Sequence, residues 1–449
     1  MSSAELEDRD RVVITGYGVV TAAGPDVESS YEFLKEGKDG IQPITGTRLA
    51  EYTQFKTEMG APILNFDLFA ERSNFPRFNS LTPKDLLRIH LSAQYVLWAA
   101  IEAQQQAGLL DENLQLDESQ VDRKRAGIRM GTSIGGAEEI GPVRLAMDVK
   151  GKRVGAQPIL QILPERVASV PSMAYKYRGS VATVIGACAT SLMNEINGAD
   201  ILTHRRKRAN VMLVGGTDAV LSGTGIAIFE GAGATDKTAD PSKASRPFHA
   251  EASGLVMGEG AGVMVLETLE HAKKRGAVPL AEIAGYWESS DAYHDTEPSG
   301  EGAEDTMRGA LIDAGVSRED KISVDAHATS TPLGDGVEVR SVKNVFNGVE
   351  VNGAAFYPDQ VVGISSRKGA LGHTLAAAGA IESIMAIRGM RDGVILPNLK
   401  IDAETQLPET VGWPMIIREA QVIAGGFKIL KNSFGFGGLN ASVVYQLVS

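Results

Sequence analysis

Cys188 is the only cysteine among the chain's 449 residues. It sits in VATVIGACATSLMNEINGADIL, where a β-branched run ends at Gly186 and small residues lead into a helical pattern. A thiol at a helix N-terminus faces unpaired first-turn N–H groups and the positive end of the helix dipole, both of which favour the thiolate, the nucleophilic form of sulfur. A single cysteine is also a common small apolar core residue, so its surroundings decide its role. Two of the seven histidines have settings unlike the rest. His327, in VDAHATSTPLGD, follows a short apolar run and is flanked by hydroxyls and glycine. His373, in SSRKGALGHTLAAAGAIE, stands at another strand-to-helix turn, five residues after Lys368. Near a helix start the dipole disfavours protonation and leaves a neutral imidazole that can donate a hydrogen bond. His90, His204 and His271 lie in helical or charged runs that suit structural roles.

A cysteine with two histidines also describes a protease-like nucleophile and base, or two-thirds of a zinc site. Zinc is the weaker reading, because a fourth ligand is needed and none of the usual close Cys or His spacings is present. GYGVVTAAG starts like a strand-borne dinucleotide loop, but Thr21 takes its third glycine position, and the G-x-x-x-x-G-K-[ST] phosphate loop is missing from the sequence.

The elements that must bring these residues together read as α/β. The buried-strand pattern RVVITGYG opens the chain, and apolar strand-like runs then alternate with amphipathic helices. The chain also repeats itself. VVITGYG at 12–18 is echoed by AEIAGYW at 281–287, AIEAQQQAGL and AGIRMG by MRGALIDAGV and KISVDAH, GACATSLMNEINGADIL by SSRKGALGHTLAAAGAIESIMA, and NVMLVGGTDAV by FKILKNSFGFGG. The order is the same in both copies. Cys188, His327 and His373 fall at comparable loop positions of the repeat, so two copies of one βαβ-rich unit are expected to converge on a single site. The division expected is a polar tail at 1–11, a first half at 12–279 carrying the nucleophile, and a second half at 280–449 carrying both histidines.

Composition narrows the class. With 43% apolar and 22% charged residues the chain is globular, and its net charge of −12 disfavours a uniform nucleic-acid-binding face. One cysteine allows neither an internal disulfide framework nor a multi-cysteine metal site. No apolar stretch reaches the ~18 residues of a membrane span, and the opening MSSAELEDRDR is neither signal-like nor transit-like, so a cytoplasmic protein is expected.

GACATS, AHATSTPLGD, RKGALGH and the terminal NSFGFGGLN resemble, in this order, the motifs of the β-ketoacyl-acyl-carrier-protein synthases, condensing enzymes of the thiolase superfamily. SDAYHDT and ASRPFHAEASGLVMGEGAGVMVLETLEHAKKRGA extend the resemblance over nearly the whole chain from Val12, closest to the synthase II group and the related polyketide ketosynthases. The resemblance implies a thiolase-like five-layered αβαβα sandwich built from two similar halves, and a homodimer. It implies that Cys188 takes an acyl chain from an acyl carrier protein or coenzyme A thioester. His327 and His373 would hydrogen-bond the malonyl thioester carbonyl while decarboxylation forms an enolate that attacks the acyl group. The N–H groups of Cys188 and Phe436 would form an oxyanion hole, with neither metal nor redox cofactor, the substrates riding on the phosphopantetheine of the carrier.

By the same resemblance Lys368 is a catalytic or loop-orienting lysine with Glu338 as its acidic partner, and Asp335 and Glu382 join Glu338 as orienting carboxylates. Thr296, Thr329 and Thr331 would line the pantetheine channel, and Ile134, Phe229 and Phe436 the acyl pocket. Lys84 and Arg88, four apart and so expected on one helical face, would dock the acidic carrier together with Lys152 and Arg153. The chain departs from the family pattern at Leu439, Ala328 and Gly233, which stand where threonine, glycine and arginine are usual. A fatty-acid-elongating synthase is the leading reading and a polyketide ketosynthase the second. Cys188 argues against a non-catalytic chain-length-factor-like subunit, and the lack of a second cysteine against a coenzyme A thiolase.

Overall fold

The computed structural model describes every residue except 1–6, 45–54, 65, 67, 69–82, 87, 113–114, 152, 154, 156, 207, 412–415 and 449. Ten strands join edge to edge: β1 (Val12–Val20), β2 (Ala126–Gly131), β3 (Val181–Ala182), β4 (Val211–Asp218), β5 (Gly260–Thr268), β6 (Ala281–Ser290), β7 (Ile322–Asp325), β8 (Val361–Ser365), β9 (Lys428–Gly435) and β10 (Leu439–Gln446). Their order is β3-β2-β4-β5-β1-β6-β10-β9-β7-β8. Read outward from the β1/β6 seam, both halves trace one path: the first strand, the fifth, the fourth, the second, the third. The pairing directions match as well. β2 runs parallel to β3 and β4, as β7 does to β8 and β9, and the other neighbours are antiparallel.

The echoes in sequence therefore fall on equivalent strands. VVITGYG and AEIAGYW belong to β1 and β6, which pair antiparallel from Val12 opposite Ile283 to Ile14 opposite Ala281. β1, β4 and β5 are buried along their whole length, as continuous Val/Ile/Leu-rich runs require when helices cover both faces of a sheet.

Two helices, α3 (Thr190–Thr203) and α6 (Ala378–Asp392), lie between the halves, and each packs on strands of both. α1 (Leu91–Gln106) and α2 (Arg166–Tyr175) cover the first half outside, and α4 (Glu301–Asp313) and α5 (Pro332–Val345) cover the second. The result is the thiolase-like αβαβα sandwich. Its central layer is tight enough to demand glycine: a Cβ on Gly262 of β5 would come within 2.7 Å of the Ile381 nitrogen, and one on Gly216 of β4 within 2.3 Å of the Ala376 oxygen. This tightness fixes where the N-termini of α3 and α6 point. Among the described residues no helix is long and apolar enough to cross a membrane.

Candidate active site

Each central helix starts with a 3₁₀ turn, Ala187–Ala189 before α3 and Leu375–Ala377 before α6. The first residue of each turn is non-glycine with positive φ, 48° at Ala187 and 49° at Leu375, a strained geometry that aims the next residue away from its strand. That next residue is Cys188 in one copy and Ala376 in the other. Around Cys188 the turn is pinned by local bonds: the Gly186 N–H donates to Thr190 Oγ1 at 2.8 Å, and Asn194 Nδ2 donates to the Val184 and Thr190 carbonyls. Gly435, at the end of β9, lies against it. A Cβ there would meet the Gly186 oxygen at 2.6 Å and the Cys188 nitrogen at 3.3 Å.

The second half supplies the other groups. His327 follows β7, and Glu338 of α5 holds its loop by accepting from the N–H groups of His327 and Ala328 at 2.8 and 2.7 Å. His373 precedes the turn into α6, its N–H donating to the Val256 carbonyl at 2.6 Å. The two imidazole rings meet edge to face with centroids 5.3 Å apart. Cys188 Sγ and one nitrogen of each ring lie within 4.8 Å of one another. Among the described residues neither nitrogen of His373 has a hydrogen-bond partner, nor has Nδ1 of His327. Buried imidazoles without partners are costly unless a ligand meets them.

A cleft of about 250 Å³, open to solvent, reaches this trio. Thr296, Thr329, Thr331, Phe229 and Phe436 line it with Cys188, His327 and His373. Ile134 is not on its wall but packs with Phe229 against the apolar cluster of Cys188, Val220, Ile226, Leu255 and Met257. Phe436 is 41% exposed and precedes Gly437 and Gly438, both at positive φ.

Burial controls the protonation of the trio. It pushes the Cys188 thiol up to about 12, and the nearby Lys368 ammonium offsets only part of that rise. The resting group is therefore a thiol rather than the thiolate that the helix N-terminus alone suggested. Burial likewise holds His327 and His373 well below the ordinary imidazole value, with the Lys368 charge adding to the effect, so both rings are neutral.

Two expectations need correction. Glu338 is occupied by backbone N–H groups and the Asn432 amide, and Lys368 instead donates to Glu382 of α6 at 2.6 Å, 14 residues along. Lys84 and Arg88 share no helical face, because the helix there spans only Pro83–Leu86 and Arg88 lies in the turn beyond it. Lys84, Arg88 and Arg153 are exposed, and Lys152 lies outside the described residues. Asp335, fully buried, accepts from the Phe248 N–H at 2.8 Å, and burial pushes its carboxyl up to about 7. Ala328 is buried beside His327, Leu439 opens β10, and Gly233 takes φ of 70°. Sequence reasoning missed Lys431, Asp325 and Arg367, which lie buried behind the histidines, and Asp218. Asp218 accepts from the Ala376 N–H at 2.8 Å, in the second copy's counterpart of the Cys188 turn.

Comparison with known proteins agrees over nearly the full length. Residues 9–272 match the family model described as β-ketoacyl synthase, N-terminal domain, and residues 280–402 match β-ketoacyl synthase, C-terminal domain. The chain is 34% identical over 440 residues to the 3-oxoacyl-[acyl-carrier-protein] synthase 2 of Vibrio cholerae, covering 97% of this chain and 99% of that one. Its fold is similar to a β-ketoacyl synthase from Burkholderia phymatum, with a TM-score of 0.82 and 30% identity over 98% of this chain and 100% of the other. It is also similar to a type II polyketide ketosynthase solved in complex with its acyl carrier protein, with a TM-score of 0.80 and 27% identity over 98% and 99% of the two chains.

Proposed function

The chain belongs to the β-ketoacyl synthase family, and we propose that it joins malonyl-acyl carrier protein to a cysteine-bound acyl chain with loss of carbon dioxide, yielding a 3-ketoacyl-acyl carrier protein in fatty acid elongation. The observation that carries this reading is the convergence of Cys188 with two neutral imidazoles, three of whose four nitrogens have no hydrogen-bond partner among the described residues, in one cleft.

In the first step the Cys188 sulfur attacks the acyl thioester carbonyl. Its proton passes to the departing pantetheine thiolate, so the exchange needs no standing thiolate. The N–H groups of Cys188 and Phe436 receive the oxyanion, and Gly435 permits that approach by carrying no side chain. In the second step the malonyl thioester oxygen takes hydrogen bonds from His327 and His373. Carbon dioxide leaves, and the charge that moves onto that oxygen strengthens both bonds in the transition state, which is the differential binding that accelerates a reaction. The enolate carbon attacks the acyl carbon, Cys188 departs as a thiolate, and a proton from solvent restores the thiol. Apart from that solvent proton, every group in these steps belongs to the chain or the substrates. Ile134 and Phe229 shape the acyl end of the site, and Thr296, Thr329 and Thr331 its pantetheine arm, with the Thr329 and Thr331 hydroxyls 3.0 Å apart.

The partner in this reading is an acyl carrier protein, docked beside Lys84, Arg88, Lys152 and Arg153. The assembly is a homodimer, for which the exposed apolar residues Ile140, Leu145, Met147, Val149, Ile159 and Leu160 supply a face. The location is the cytoplasm. Residues 12–279 and 280–449 are the two units, each contributing its own share of the site.

Incubating the protein with acyl carrier protein thioesters of graded length and weighing the intact chain tests the proposal. A single acyl adduct on Cys188, discharged by malonyl-acyl carrier protein into a 3-ketoacyl product, is expected. No adduct with any carrier thioester would remove it. The similarity to a polyketide ketosynthase favours a second reading, in which the same adduct accepts several malonyl units without reduction. The mass of the carrier-bound product separates the two.

A further inference from the structure

Five charged side chains form a chain behind the two histidines. Lys368 Nζ donates to Glu382 Oε1 at 2.6 Å, and Lys431 Nζ donates to Glu382 Oε2 at 2.5 Å. Lys431 Nζ also lies 2.9 Å from Asp325 Oδ1, and Asp325 Oδ2 is 3.0 Å from an Arg367 nitrogen. None of the five is more than 3% exposed, and Lys368 and Lys431 are fully buried. Three cations share two carboxylates, so the chain carries an excess positive charge that solvent does not screen.

Its members are tied to the site by covalent sequence. Asp325 ends β7, two residues before His327. Arg367 and Lys368 open the loop that carries His373, Glu382 lies on α6, and Lys431 sits on β9, whose end presents Gly435 to Cys188. Lys431 is the only one of the three cations that touches both carboxylates, so its loss leaves both with one partner fewer.

Building on the proposed condensation, we propose that Lys431 is a positioning residue for the decarboxylation step: its ammonium shares Glu382 with Lys368 and Asp325 with Arg367, and so fixes Lys368 and the charge it carries behind His327 and His373. Other ionisable groups face the same imidazoles. These are Cys188, on which Asp218 of the first half acts in turn, Asp335 and Glu338 from α5, and Lys368, Arg367, Asp325 and Glu382 from the chain itself. Among them Lys368 and Lys431 are the cations acting on both rings; burial is the leading cause of the rings' low affinity for protons, Lys368 comes next, and Lys431 adds a smaller share, ranking after His373 in the case of His327. Lys431 in turn stays charged despite its burial, because Asp325 and Glu382 both hold it.

The test uses two replacements. Lys431→Gln keeps a donor for Glu382 and removes the charge; Lys431→Met removes both. Malonyl-acyl carrier protein decarboxylation is followed from pH 4.5 to 8, together with acylation of Cys188. A unit charge lost near the rings in a medium of effective dielectric near 20 moves a titration by about one pH unit. Both variants should therefore lose decarboxylation on the acid side about one pH unit above the wild type, and retain it within a few-fold at pH 8. Adding Asp325→Asn to Lys431→Gln restores the charge balance and should return the profile toward the wild type. A role confined to packing would instead lower the rate evenly at all pH values, with Gln behaving as the wild type; that result, or a profile unmoved in both variants, overturns the proposal. If the wild type itself neither acylates nor decarboxylates, the functional reading fails rather than this one.

Discussion

The buried thiol makes a quantitative demand on the reactivity of Cys188. With its value pushed up to about 12, roughly one site in 10⁵ is ionised at pH 7, against roughly 3% for an ordinary thiol titrating near 8.5. A thiolate of higher basicity is the better nucleophile, and a Brønsted coefficient near 0.4–0.5 recovers roughly 40-fold of that roughly 3000-fold deficit. Alkylation by iodoacetamide should then be on the order of 100-fold slower at pH 7 than for a free cysteine. Burial also obstructs the reagent, so the slope is a safer readout than the absolute rate: the logarithm of the rate should climb by about one for each pH unit between 7 and 10, without levelling. Lys368→Met should slow the reaction further at fixed pH, because the ammonium it removes holds the thiol down. A plateau below pH 9 would refute the reasoning. It would mean that the N-terminus of α3 and the strained Ala187 turn stabilise sulfur as an anion more than burial opposes it.

Other consequences are as direct. Cys188→Ala should abolish condensation while leaving the fold intact, since the cysteine fills a small place in an apolar cluster and alanine suits the turn; product formed by this variant removes Cys188 from the mechanism. His327→Ala and His373→Ala should each cut decarboxylation by roughly 10²-fold or more and acylation far less. With both rings held neutral well below the ordinary imidazole value, wild-type decarboxylation should stay level as pH falls through 6.5; an acid limb centred near 6.5 contradicts that state of the rings. Glu195, fully buried, receives the Tyr445 hydroxyl, and burial raises its carboxyl to about 8. A carboxyl that binds its proton more tightly when folded contributes most below its unfolded value and loses that contribution as pH rises through the folded one. Glu195→Gln should thus raise Tm by a margin that grows between pH 5 and 8, and an equal margin at both ends would show that its ionisation is not what matters. Arg88→Glu with Arg153→Glu should raise KM for carrier-bound substrate, less so at high salt, with little change for a pantetheine thioester; equal losses on both substrates place the carrier elsewhere.

The trio and the duplicated architecture were legible because both are written locally. Small residues before α3 and α6, apolar runs of strand length and four short motifs in fixed order need no knowledge of distant contacts. What the sequence hid depends on distance through the fold. Lys368 meets Glu382 only because one turn of backbone folds the RKGALGH loop onto α6, and Lys431 meets the same carboxylate across 49 residues. Lys431 sits inside a strand pattern, ILKNSFG, where a lysine reads as an interruption rather than a partner. The thiolate expectation erred for a related reason: a helix terminus is visible in a sequence, whereas the depth at which it is buried is not. The Lys84 and Arg88 spacing implied a shared face only if one helix holds both, and Arg88 lies in a turn beyond the Pro83–Leu86 helix.

Duplication commonly leaves a spare, and here it has not. The second copy of the Cys188 turn keeps the backbone, with Leu375 at the same positive φ as Ala187, but alanine takes the place of the sulfur. The Asp218 carboxylate, contributed by the first half, accepts the Ala376 N–H and is itself held by the Thr132 hydroxyl and the Ser133 N–H. An anion built into the chain thus occupies the donor that a reacting oxygen would seek there. The twin turn is sealed, and the two halves are complementary instead of redundant. A lesion in either half finds no backup in the other, so tolerance to mutation should be no greater here than in a chain with no internal twin.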